Sequence, residues 1–278
     1  MASSRVRLSS GLLLLAAWLG AAAVGGCGGG TTPAPTSPSP ASGLNAAAYL
    51  TIETGALPVV LSAPHGGTIA VPGVPVRQTG TTVLDTNTYQ LASAIQSALA
   101  ARTGKRAHLV AALVSRSYVD FNRASAEAYE TASVAPLYVA YHAALQQAAQ
   151  AALAQSSAGA ILVDIHGQGT DATTVFRGTR DGQTASLATL CTPEGGFLAR
   201  LVAQGVLVDP PGLGGTEASS YNGGYIVATY GRSMPAGVNA VQLEFGMDYR
   251  QSGAIVTTAA RIVDALVEHL RVHAPGSF

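Results

Sequence analysis

Hydrophobic and polar positions along this chain fall into two alternating kinds of segment. Short, almost continuously apolar runs predict buried strands, and longer segments with apolar residues at helical spacing predict helices. The predicted strands are residues 58–63, 108–115, 159–167 and 239–246. The predicted helices are residues 88–104, 132–155, 194–205 and 253–273. This alternation indicates an α/β domain with a mostly parallel central sheet and helices on both faces.

The N-terminal part of the chain follows a different pattern. Arg5 and Arg7 precede the apolar run GLLLLAAWLGAAAV, which is shorter than the roughly 20 residues of a membrane-spanning helix. This order predicts a signal peptide over residues 1–26. Residues 27–44 are rich in Gly, Thr, Pro and Ser and predict a flexible tether. Residues 45–278 are expected to form a single α/β domain.

The tether begins with Cys27, directly after Val-Gly-Gly. This order resembles the lipobox of bacterial lipoproteins, in which the cysteine carries the lipid and becomes the first residue of the mature protein. It predicts a lipid anchor that holds the domain on a bacterial membrane, in the cell envelope and outside the cytoplasm. The alternative is an ordinary signal peptide followed by a chance cysteine.

The charge composition narrows the class of partner. The chain has 15 Lys and Arg residues and 15 Asp and Glu residues, and its net charge is zero. No basic face is therefore expected that could neutralise phosphates, and nucleic acid is not an expected partner. Because only 11% of the residues are charged, the charged residues near strand ends are notable.

Two histidines stand at the carboxyl ends of predicted strands, each followed by glycine. They are His65 in VVLSAPHGG and His166 in ILVDIHGQG. Arg116 and Glu244 also fall at or just after strand ends. Ligands of open α/β sheets bind beyond these ends, so we expect the four side chains to share one cleft. For either histidine alone, a turn residue or a satisfied core group is the alternative.

Two imidazoles and one carboxylate are a ligand set that suits zinc, and catalytic zinc sites leave a further position to water. The carboxylate has two candidates. Asp85 lies just before a predicted helix, where it could instead cap the helix N-terminus. Asp164 shares a strand face with His166, so it could be a ligand or could orient that imidazole.

Other polar residues could bind substrate or transfer protons. The segment VSRSYVDFNRA holds Arg116, Asn122 and Arg123, and an arginine can pair with a carboxylate or stabilise an oxyanion. A surface salt-bridge segment is the alternative. Glu244 interrupts an apolar strand and could act as general base and then proton donor. Its alternative role is a structural ion pair with Arg123.

The motifs, taken in order, resemble the N-formylglutamate amidohydrolase family. They are SAPHGG, DTNTYQLA, SR followed by DFNRA, YH, DIHGQG, FRGTRDGQTAS, YNGGYIVATYG and AVQLEFG, and they cover most of residues 58–249. The family is similar to zinc carboxypeptidases and aspartoacylases. The resemblance implies a phosphorylase/hydrolase-like fold, one zinc ion and hydrolysis of an amide near a carboxylate.

The resemblance also implies roles for individual residues. His65 and His166 correspond to metal ligands, Glu244 to the general acid/base, and Asn122 with Arg123 to the pair that binds a substrate carboxylate. Carboxypeptidases place a glutamate ligand three residues after the first histidine. Thr68 occupies that position here, so Asp85 is the expected third ligand.

The expected function is zinc-dependent hydrolysis of an amide bond in an N-acyl amino acid or a glutamyl-type substrate. The expected partner is thus a small carboxylated amide or peptide, together with the membrane that holds the anchor. A different class of function is the alternative, namely an envelope lipoprotein that binds a carboxylated ligand without catalysis. Such a binder would not need Glu244.

Overall fold

The computed structural model describes residues 44–235 and 237–278. The predicted signal peptide, Cys27 and the tether up to residue 43 lie outside these residues. Within the described ranges, no helix combines the length and the apolar character that crossing a membrane requires.

Strands and helices alternate through the described part of the chain. The strands are β1 (Leu50–Glu53), β2 (Val59–Ala63), β3 (His108–Ala112), β4 (Ile161–Gly167), β5 (Thr174–Gly178), β6 (Leu207–Asp209) and β7 (Asn239–Phe245). The helices are α1 (Ala46–Tyr49), α2 (Thr88–Thr103), α3 (Ser125–Ala128), α4 (Ala135–Ala154), α5 (Leu187–Leu190), α6 (Phe197–Ala203), α7 (Tyr225–Tyr230), α8 (Met247–Arg250) and α9 (Ile255–His273). A short 3₁₀ turn, Ala132–Val134, leads into α4.

The strands form one mixed sheet in the order β1-β3-β2-β4-β7-β5-β6. The four central strands, β3, β2, β4 and β7, run parallel to one another. Strand β1 is antiparallel to β3 at one edge. At the other edge, β5 is antiparallel to β7 and pairs with β6 in parallel. The predicted α/β class with a mostly parallel sheet is confirmed.

Each face of the sheet buries its own apolar core, as expected of a sheet that has helices on both faces. Helices α2, α6 and α9 cover one face, and α4 and α7 cover the other. In β4, Val163 and Ile165 belong to the first core and Leu162 to the second. Side chains alternate along a strand, so Asp164 and His166 lie on the same face as Leu162.

The predicted elements are all present, with small shifts at their ends. Strand β3 ends at Ala112 rather than at residue 115, and the chain continues with isolated bridges between Val114 and Ile69 and between Ser115 and Gly67. Pro136 does not break α4 but lies in its first turn, where a missing N–H costs no helical hydrogen bond.

Two of the glycines that follow the histidines allow close packing. A Cβ atom on Gly66 would lie 2.6 Å from the Thr88 hydroxyl in the first turn of α2. A Cβ atom on Gly167 would lie 2.7 Å from Nε of Arg250. Both distances are too short for a side chain, so glycine at these positions lets neighbouring elements close around the strand ends.

Candidate active site

Three side chains from separate segments converge beyond the carboxyl ends of the central strands. His65 follows β2, His166 lies near the end of β4, and Asp85 precedes α2. The Nδ1 atoms of the two histidines are 3.2 Å apart, and Oδ2 of Asp85 lies 3.3 Å from the first and 3.2 Å from the second. Ligands of a tetrahedral zinc ion would be separated by about 3.3–3.4 Å. This spacing makes the triad a fitting metal site.

The outer nitrogen of each histidine is held by another carboxylate. Nε2 of His65 lies 2.7 Å from Oδ1 of Asp120, and Nε2 of His166 lies 2.9 Å from Oδ2 of Asp164. A proton on each Nε2 leaves the Nδ1 lone pairs free to point at the centre of the triad. Carboxylates in this position fix the tautomer of metal-binding histidines and raise their basicity.

The structure distinguishes the two candidate acids by position. The carboxylate of Asp85 contacts both Nδ1 atoms and accepts a hydrogen bond from the Gly167 N–H. It does not cap α2, whose N-cap is Asn87 without a side-chain hydrogen bond. Asp164 reaches only the outer nitrogen of His166. The geometry therefore favours Asp85 as the third ligand and an orienting role for Asp164.

Charge is strongly coupled around the triad. Burial raises the pKa of Asp85, but His65 and His166 lower it by more, so it lies well below its usual range. Asp120 behaves in the same way, because His65 and Arg116 outweigh its burial. Burial lowers the pKa of His166, yet the surrounding carboxylates raise it well above its ordinary value. The carboxylates and the two imidazoles of the site are thus strongly coupled electrostatically.

Glu244 lies near the end of β7, beside the triad. Its Oε1 atom is 3.9 Å from Nδ1 of His166 and accepts a 2.9 Å hydrogen bond from the Gln242 amide. The residue is 8% exposed and lines the cleft. Burial raises its pKa, and His166 partly opposes that shift. Among the described residues Glu244 forms no ion pair with Arg123, so its alternative role as the partner of that arginine is wrong.

Gln242 links Glu244 to Asn122 and Gly224, which also line the cleft. Its Oε1 accepts hydrogen bonds from Nδ2 of Asn122 at 3.2 Å and from the Gly224 N–H at 2.8 Å. The amide nitrogen of Gln242 therefore faces Glu244 and donates a hydrogen bond to its carboxylate. Oδ1 of Asn122 in turn accepts from the Ile226 N–H in α7.

The three residues predicted to bind substrate have different surroundings. Arg116 is buried, and its guanidinium donates to both Asp120 and Asp85. Asn122 uses its side chain for the internal bonds just described. Arg123 is half-buried, lines the cleft and donates one hydrogen bond, to the Asn122 carbonyl. Of the three, Arg123 is best placed to meet a substrate carboxylate.

These side chains line an open cleft of about 580 Å³. Its lining also includes residues 219–224, residues 81, 83 and 84, and Arg250. The cleft lies at the carboxyl ends of the parallel strands, as predicted, and its volume is within the usual range for small-molecule sites.

Two residues of the site were not assigned roles from the sequence. Asp120 anchors His65 and Arg116, and Gln242 orients Glu244. A signal for Gln242 was present, because it precedes Glu244 by two positions on a buried strand, just as Asp164 precedes His166. Asp120 follows β3 in an irregular segment and carries no periodic signal.

Comparison with known proteins agrees with the fold and with the family that the sequence motifs resemble. Residues 126–249 match the sequence pattern of the family described as N-formylglutamate amidohydrolase. The fold is similar to the crystal structure of N-formylglutamate amidohydrolase from Ralstonia eutropha, with a TM-score of 0.55 and 20% identity, covering 81% of this chain and 97% of that one. It is also similar to the structure of a gene product from Agrobacterium tumefaciens, with a TM-score of 0.54 and 17% identity, covering 80% and 95%. No curated protein sequence matches the chain. The family resemblance predicted from the motifs is confirmed.

Proposed function

From the premise that this chain is an N-formylglutamate amidohydrolase-like hydrolase, we propose that it is a zinc enzyme. In this proposal it hydrolyses an amide bond in a small carboxylated substrate, an N-acyl amino acid or a glutamyl-type compound. The observation that carries the proposal is the convergence of His65 Nδ1, His166 Nδ1 and Asp85 Oδ2 at 3.2–3.3 Å, next to a buried carboxylate.

The three converging atoms would hold the zinc ion. When bound, zinc supplies Lewis acidity, which polarises a substrate carbonyl and lowers the pKa of water. Asp120 and Asp164 keep both histidines in the tautomer that presents Nδ1. Arg116 offsets part of the negative charge of Asp85 and Asp120, and Arg77 lies 3.9 Å from Asp120 and adds to this.

Glu244 would move the proton that hydrolysis requires. It takes a proton from the attacking water while the water oxygen bonds to the amide carbon. It then delivers that proton to the nitrogen as the carbon–nitrogen bond breaks, which gives a carboxylic acid and an amine. Burial raises the pKa of Glu244, which favours its second task as a proton donor. Gln242 holds one oxygen of Glu244 and so fixes the carboxylate beside the triad.

Arg123 would bind the carboxylate of the substrate. It lines the cleft, and no carboxylate of the described residues lies within 4.0 Å of its guanidinium. A planar guanidinium can pair with a carboxylate through two parallel hydrogen bonds. Arg123 and Glu244 line the same cleft, so a substrate held by Arg123 would share that cleft with the proposed proton carrier.

Replacement of Glu244 with Gln tests the proposal. Glu244→Gln keeps the size of the side chain but removes the base, so kcat should fall by about 10²–10⁴-fold. Zinc measured by elemental analysis should stay near one per chain. Glu194→Gln, at an exposed carboxylate outside the cleft, is the matched control and should act at the native rate. A Glu244→Gln protein with full zinc and native turnover would falsify the proton-transfer role.

We also propose that a lipid on Cys27 anchors the enzyme in the cell envelope. The support for this step comes from the sequence, because the basic residues, the apolar run and Val-Gly-Gly-Cys occur in the order expected of a lipoprotein signal. In this arrangement the catalytic domain acts outside the cytoplasm, joined to the lipidated Cys27 by the Gly-, Thr-, Pro- and Ser-rich segment.

A further inference from the structure

We propose that the cleft selects N-acyl amino acids with one carboxylate and an apolar side chain over N-formylglutamate, which has two carboxylates. This inference rests on the proposed amide hydrolysis and names its substrate class. It follows from the number of cations in the cleft that are free to bind an anion, and from the apolar residues at the cleft mouth.

Two of the three arginines that line the cleft are already occupied. Arg116 directs its guanidinium at the carboxylates of Asp85 and Asp120. Arg250 donates from Nε to the Phe245 carbonyl at 2.9 Å, and its two terminal nitrogens donate to the carbonyls of Thr86 at 2.7 Å and Gln168 at 2.9 Å. Neither arginine has its guanidinium free for a substrate carboxylate.

Arg123 is the cleft arginine that remains. It makes one hydrogen bond, to the carbonyl of the neighbouring residue, and no ion pair with the described residues. Because one guanidinium pairs with one carboxylate, the cleft can neutralise a single substrate carboxylate through its arginines. A second carboxylate would lie either near Glu244, which repels it, or against uncharged lining residues.

The mouth of the cleft is suited to an apolar group. Val83 lines the cleft with 71% of its surface exposed, and Leu84 lies beside it. An apolar side chain of the substrate could cover both. Partial burial of a leucine-sized group is worth about a tenfold gain in binding. The cleft volume of about 580 Å³ leaves room for such a group next to the reacting amide.

The test compares four substrates with the purified, zinc-loaded full chain. They are N-formyl derivatives of leucine, glutamine, glutamate and glycine. We expect kcat/KM to be highest for leucine, with glutamate at least about tenfold below glutamine, its uncharged isostere. Equal or faster hydrolysis of the glutamate compound would overturn the inference while supporting amide hydrolysis.

Binding of the same compounds to Glu244→Gln, measured by calorimetry, separates selectivity from turnover. Tighter binding of the leucine compound than of the glutamate compound supports the inference even if the native chain hydrolyses neither. If the native chain hydrolyses neither compound, the proposed hydrolysis is refuted, whatever the binding result. Tighter binding of the glutamate compound would overturn the selectivity.

Three variants locate the selectivity. Val83→Ser should lower the leucine-to-glycine ratio of kcat/KM by about tenfold. Val256→Ser, at a similarly exposed valine on α9, should leave that ratio unchanged. Arg180 is an exposed cation near Gly223 but does not line the cleft. A selective loss of glutamate hydrolysis in Arg180→Gln would reveal a second carboxylate site and overturn the inference.

Discussion

Replacement of Asp120 with Asn should weaken zinc binding and destabilise the fold at the same time. Oδ1 of Asp120 accepts from His65 Nε2 at 2.7 Å and from the Asn122 N–H at 3.0 Å. Oδ2 accepts from Nε of Arg116 at 3.0 Å, and Nη2 of the same arginine lies 3.0 Å from it in an ion pair. An asparagine that keeps its oxygen toward His65 would turn its NH₂ group toward Arg116, so donors would face donors.

The magnitudes follow from these contacts. Loss of a carboxylate behind a metal-binding histidine typically costs 10–100-fold in metal affinity, which is about 1.4–2.7 kcal/mol. Removal of one partner from a buried charge pair costs about 3–5 kcal/mol of unfolding free energy. Asp120 is fully buried and Arg116 is 8% exposed, so solvent can compensate little of the second loss.

Asp164→Asn is the matched control, because it should weaken zinc binding with a smaller effect on stability. Oδ2 of Asp164 accepts from His166, while Oδ1 has no hydrogen-bond partner among the residues that the structure describes. An asparagine can therefore keep its oxygen toward His166 without meeting an arginine. Zinc affinity should again fall about 10–100-fold, but the unfolding free energy should change by only about 1–2 kcal/mol.

Two measurements separate the effects. Competition with a chromophoric chelator at fixed pH gives zinc affinity, and denaturant unfolding of the metal-free proteins gives stability. Native zinc affinity in Asp120→Asn would show that this carboxylate does not control His65. Equal losses of unfolding free energy in the two metal-free variants would refute the reasoning from the bonds to Arg116.

Three further predictions concern other parts of the chain. Arg123→Lys keeps the charge but loses the planar fork, so kcat/KM should fall more for substrates with a free carboxylate than for their amides, and equal losses would argue against direct carboxylate recognition. Gly167→Ala places a methyl group against Arg250 and should lower the unfolding free energy by about 1–3 kcal/mol, whereas a native denaturation midpoint would contradict the close packing. Cys27→Ser should move the protein from the membrane fraction to the soluble fraction, and continued membrane association would eliminate the lipid anchor.

The centre of the sheet could be predicted because its strands are apolar on both faces. Strands β2, β3, β4 and β7 are buried almost throughout and stand out as continuous apolar runs. The edge strands carry a weaker signal. Strand β1 is buried only at Leu50, and β6 has three residues with one buried position. These edge strands form because they pair with strands that are distant in the sequence. The pattern of apolar residues within the edge strands themselves does not predict this pairing.

The candidate site divides in a similar way. His65, His166 and Glu244 could be predicted to lie together because parallel strands bring their carboxyl ends to one edge. The choice between Asp85 and Asp164 could not be made locally, since both lie near predicted element ends. It depends on how the segment between β2 and α2 folds back, which carries the Asp85 carboxylate to the two Nδ1 atoms.

The hydrogen bonds of Gln242 make the two carboxylate oxygens of Glu244 inequivalent. Because two donors meet its oxygen, the Gln242 amide cannot reverse without placing N–H groups against N–H groups. Its nitrogen therefore always faces Oε1 of Glu244, and that oxygen is kept as an acceptor. A proton taken up by Glu244 must then reside on Oε2. The carboxylate is chemically symmetric in water, but here one oxygen serves as its anchor and the other as its only proton carrier.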